Sequence, residues 1–108
     1  MSLLEEYEKL LSEYDNVLNL SKMILAELKK EGKRNDLISL LEKKKVAGET
    51  IARLSEQIGS TQIKSFSGSN LKTLTGVRSL LRQITEKAKL LQEIEEKIQN
   101  FLQEKDPG

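Results

Sequence analysis

Apolar residues recur along this chain in steps of three and four, the spacing that gathers side chains on one face of an α-helix. Two polar breaks divide the pattern into three segments. The first covers residues 2–30, with a seam of Leu3, Tyr7, Leu10, Tyr14, Val17, Ser21, Ile24 and Leu28, while Leu4, Leu11, Leu18 and Leu25 recur every seventh residue beside it. Three such positions per heptad make a stripe wide enough to face two partner helices at once, more than a dimeric coiled coil requires. Ser2 with Glu5 matches a capping box; Glu6 and Glu8 suit the positive end of the helix dipole, and Lys29 and Lys30 its negative end.

Gly32 supplies a left-handed stop, and Asn35 or Asp36 can cap a new helix within a few residues. So short a connection turns the second helix antiparallel to the first. That second segment covers residues 36–58, with Leu37, Leu40, Lys44, Ala47, Ile51, Leu54 and Ile58 on its seam. Lys44 is polar on an apolar line, and Ala47 with Gly48 leaves little side-chain volume near the middle. Glycine inside a helix costs about 1 kcal/mol against alanine, so Gly48 calls for a packing reason or marks a soft spot. Two readings stay open: close helix approach with the Lys44 stem along apolar surface and its ammonium in water, or a shallow groove for a partner helix. Gly59 ends the segment, and a Ser-, Thr- and Gly-rich connection over residues 59–69 follows. Its large apolar members, Ile63 and Phe66, either lid the end of a bundle or form an exposed contact site.

Ser69 or Asn70 caps the third segment, residues 71–105, which at 1.5 Å per residue is roughly 50 Å long and is expected to be the scaffold for the others. Gly76 suggests a loose first turn. The seam reads Leu74, Val77, Leu81, Ile84, Ala88 and Leu91; strict continuation calls for an apolar residue where Glu95 stands, and the stripe resumes at Ile94, Ile98 and Phe101. A step shortened to three rotates an apolar seam around its helix. Leu74 to Leu91 therefore reads as core, whereas Leu91, Ile94, Ile98, Phe101 and Leu102, with Glu95, read as a strip available to a partner. Folded up, down and up, the segments predict a single all-α domain over residues 1–108: a three-helix antiparallel bundle with coiled-coil-like packing and a long third helix.

Composition agrees with a helical bundle, since 32% of residues are charged, 4% are aromatic and the one proline is Pro107. With 18 basic and 17 acidic residues the formal charge is +1, which gives no global reason to expect nucleic acid or an anionic membrane as partner. Cysteine and histidine are absent, which removes disulfides, their metal sites, a Cys nucleophile and the usual neutral-pH base. No cofactor, metal ligand set or catalytic constellation is expected, and the chain reads as non-enzymatic. Glu5 and Glu6 stand where a signal peptide would be basic, and no apolar run nears the roughly 20 residues of a membrane span, so a cytoplasmic location is expected. The basic cluster of Lys29, Lys30, Lys33, Arg34, Lys43, Lys44 and Lys45 should lie near Glu93, Glu95, Glu96 and Glu104 in such a bundle. Internal charge matching, presentation to a partner and an ordinary solvated face are the alternatives there.

The order of these features, a long leading helix, a polar turn with Gly32, then Asp36 opening the run DLISLLEKK, resembles the FlgN and FliT group of flagellar export chaperones. The closing LRQITEKAKLLQEIEEKIQNFL, residues 81–102, is similar to the amphipathic last helix through which that family engages its clients. The resemblance implies a cytoplasmic chaperone of flagellar or type III secretion substrates. Its partner would be a helical segment of a hook-filament junction or cap protein, bound along the last helix, with no nucleic acid and no membrane insertion. The structural alternative is that the same strip closes a homodimer or a longer coiled-coil assembly.

Overall fold

Each periodic segment forms a helix in the computed structural model: α1 (Leu3–Lys30), α2 (Arg34–Ser65) and α3 (Leu71–Lys105). Residues 3–30, 34–65 and 71–105 are described, the side chains of 34, 35, 61–65, 71–74, 104 and 105 excepted. The expected stop at Gly32, the caps at Ser2, Asn35 and Ser69 or Asn70, the side chains of Ile63, Phe66 and Leu74, and residues 106–108 lie outside that set. The helices pack side by side into an all-α bundle of 56 × 21 × 21 Å.

α1 occupies the centre. Its Cα atoms come within 8 Å of both α2 and α3, while α2 and α3 make no such approach to each other among the described residues. The wide stripe explains this: Tyr7, Leu10, Val17, Leu18, Leu20, Ser21 and Ile24 are all buried. Leu4 packs on α3 at Gly76, whereas Leu20 and Glu13 border α2. The longest helix is thus not the scaffold; breadth of apolar surface, not length, decides which helix two others can share.

Two core clusters stack along the axis. One joins Tyr7 and Leu10 of α1 to Leu54 and Ile58 of α2 and Val77 and Ile84 of α3. The other joins Val17, Leu20 and Ile24 to Leu40 and Ala47 and to Ile98. The seam expected on α2 is the one observed, with Leu40, Ala47, Leu54 and Ile58 buried and Leu37, Lys44 and Ile51 half-buried.

α2 runs on to Ser65, past the end expected at Ile58. No proline interrupts residues 59–65, Gly59 costs only about 1 kcal/mol in a helix, and Ser, Thr, Gln, Ile and Lys each cost a few tenths to about 0.7 kcal/mol. Nothing in that composition stops an established helix. α2 and α3 are consequently near-equal, at 32 and 35 residues.

The α3 seam also differs from expectation. Its inward line is Val77, Leu80, Ile84, Lys87, Leu91, Ile94, Ile98 and Phe101, each buried or half-buried. This is an unbroken alternation of three and four with no slip. Leu81, expected in the core, is 41% exposed. Lys87 takes a seam position and ends 2.9 Å from Asp15 of α1, so hydrophobicity alone misplaces the line by one residue there. Gly76 likewise does not loosen the first turn, because the helix passes through it. A Cβ at Gly76 would stand 2.9 Å from Leu4 Cδ1, so the missing side chain is what lets Leu4 approach.

Candidate functional site

The residues from Leu91 to Leu102 do not form one exposed strip. Ile98 is 9% exposed and sits in the core with Val17, Leu20, Ile24, Leu40 and Ala47, with Leu91 and Ile94 packed against that cluster. Phe101 is half-buried, and Leu102 is 45% exposed. Glu95 Oε1 lies 2.7 Å from Lys44 Nζ, which joins the polar position on the α2 seam to α3. The physical reason is the unslipped heptad line: Ile94 and Ile98 continue the same inward face as Val77 and Ile84, and α1 is long enough to cover them.

The Lys44 and Glu95 pair and the Lys87 and Asp15 pair each match opposite charges across neighbouring helices. Both pairs are partly solvated, so each contributes under about 1 kcal/mol. They place polar groups at seam positions, where such residues set helix register and orientation. Gly48 has no packing role, since a Cβ there would meet nothing within 4 Å.

What remains open to a partner lies on the flanks of the seam. Between α1 and α2 a cleft of 540 Å³ is edged chiefly by polar side chains, among them Glu13, Asn16, Ser39 and Thr50. Between α2 and α3 a cleft of 330 Å³ runs beside Lys44, Glu95, Gln92, Gln99 and Asn100 over the edge of Ile98. Between α1 and α3 a cleft of 420 Å³ has Leu25, Ala26, Leu90 and Ile94 for its floor. Leu90 is 45% exposed and was not singled out by the seam pattern; the signal for it is the leucine pair at 90 and 91, of which one must turn outward.

Two buried residues are polar, Glu6 off the expected α1 seam and Ser21 on it. Glu6 is buried beside Tyr7. It falls on a second heptad line of α1 through Leu3, Leu10, Glu13, Val17, Leu20 and Ile24, which identifies it in retrospect. Ser21 is fully buried, and its Oγ makes no hydrogen bond. By contrast, the exposed hydroxyls of Thr50, Ser55 and Thr85 donate to the carbonyls of Val46, Ile51 and Leu81, one turn back, at 3.0, 2.9 and 2.8 Å. Burial raises the Tyr7 hydroxyl above its ordinary pKa, because desolvation penalises the phenolate.

Among the described residues no group of three or more carboxylates could hold a metal ion, and no helix is long and apolar enough to cross a membrane. Comparison with protein-family models, with curated proteins and with solved structures finds no match to this chain.

Proposed function

We propose that the protein is a non-enzymatic binding protein that holds an amphipathic helical segment of a partner against the C-terminal half of α3. The observation that carries this reading is the pair of open clefts flanking that half, with Leu90 and Leu102 exposed beside the half-buried Leu91, Ile94 and Phe101. A cleft running along two helices suits a third helix, whose residues at three- and four-residue spacing enter it as anchors. Within this reading the role is that of a cytoplasmic export chaperone of the FlgN and FliT kind, supported by the turn and last-helix features of residues 36–44 and 81–102. Its clients would be helical segments of hook-filament junction or cap proteins.

Because Ile98 is core, substitutions there would unfold the bundle and report nothing on binding. The informative variant carries Leu90→Asp and Leu102→Asp, both at exposed positions. Calorimetric titration with C-terminal helical peptides of hook-filament junction and cap proteins should show at least tenfold weaker binding by this variant, with an unchanged helical spectrum. Equal affinity in the variant, or no binding of any peptide by the unaltered protein, would sink the reading.

A further inference from the structure

The cleft between α1 and α3 combines an apolar floor with a rim dominated by one sign of charge. Lys22 and Lys29 of α1 and Lys97 of α3 stand around it, with Glu93 as the single carboxylate. All four are exposed, and none forms an ion pair among the described residues. Lys44 and Lys87, by comparison, each find a carboxylate on a neighbouring helix. The helix dipole accounts for a lysine in the last turn of α1, such as Lys29, but the effect fades within one turn. Lys22 and Lys97 lie more than two turns from the ends of their helices.

α1 and α3 run parallel, as Leu4 beside Gly76 and Asp15 beside Lys87 show. In that register Glu93 falls at the end of the cleft nearer Lys22, while Lys97 and Lys29 leave the other end purely basic. Lys22 and Lys29 are two turns apart, roughly 10 Å. We propose that this cleft docks a short acidic amphipathic helix of a partner protein. Its apolar residues meet Leu25, Leu90 and Ile94, and its Asp and Glu side chains flank them, densest over Lys97 and Lys29. The inference rests on the helix-binding role proposed above and adds the partner's charge and the cleft that reads it.

The test uses the full chain and two labelled amphipathic peptides with identical leucine spacing, one flanked by Glu and the other by Lys. Fluorescence anisotropy should show the Glu peptide binding at least tenfold more tightly at low salt, with the gap narrowing as salt screens the rim. Lys22→Glu with Lys97→Glu should reverse the preference while leaving the thermal midpoint unchanged. Equal affinities for the two peptides, or a preference that survives the charge reversal, overturn the inference and leave the helix-binding role standing. If neither peptide binds, both fall. A concentration-dependent dimer abolished by the same two substitutions would show a second copy of the chain in the cleft, and that also overturns it.

Discussion

Ser21 is where a single residue works against the fold. Its hydroxyl is removed from water without a hydrogen bond, and such a group costs on the order of 1–3 kcal/mol. Ser21→Ala should therefore raise stability by about 1 kcal/mol or more, seen as a higher urea midpoint at unchanged slope. Two glycines should respond in opposite ways. Gly48 is helical, exposed and free of neighbours, so Gly48→Ala should stabilise by about 1 kcal/mol. Gly76→Ala should gain less or lose stability, because Leu4 must move aside. Thermal melts of the two variants side by side decide this. For Tyr7, burial favours the neutral phenol, so the folded-state pKa lies above the ordinary 10.0. The associated stability is fully present below that value and is lost as pH rises through the folded value. Stability of the unaltered protein should fall more steeply above pH 10 than that of Tyr7→Phe, as measured by urea titrations across that range.

At the scale of one helix, α3 shows how a heptad line can be misread and then recovered. Leu81 is as apolar as Leu80, yet Leu80 is half-buried and Leu81 exposed, while Lys87 and Ala88 are both half-buried. Lys87 is tolerated because its stem lies along the seam and its ammonium reaches Asp15. With the line corrected, Ile98 and Leu102, four residues apart, belong to different worlds. Ile98→Ala should cost about 2–5 kcal/mol, as a large-to-small change in a packed core does. Leu102→Ala should stay within about 0.5 kcal/mol, the usual range for an exposed site. Equal effects of the two would mean that α3 is rotated from the orientation described.

Across the whole molecule, the central position of α1 has a dynamic consequence. α2 and α3 each pack their backbones on α1 but not on each other, among the described residues. All three helices share both core clusters, but α1 alone approaches both others by its backbone and should be the last to open. Amide hydrogen exchange should accordingly be slowest from Val17 to Ile24 in α1, where Val17, Leu18, Leu20, Ser21 and Ile24 are buried. Outer-helix amides at comparable distance from the helix ends should exchange faster. On that expectation the α1 and α3 cleft is backed by the helix that opens last.

The fold was legible in the residues themselves. A spacing of three and four over three segments, a chain nearly free of proline and a stripe on the first helix broad enough for two partners determined an all-α bundle, and the α2 seam came out residue for residue. The end of α2 was not legible, because Gly59 weakens a helix without stopping one and no proline follows it in residues 60–65. Nor was the fate of Ile94 and Ile98, since the same amphipathic pattern fits a core seam and a docking strip equally well. Which it becomes depends on whether another helix lies over it, and here α1 does. The clefts beside that seam, with Leu90, Lys22, Lys29 and Lys97 drawn from two helices far apart in sequence, exist only once α1 and α3 lie parallel.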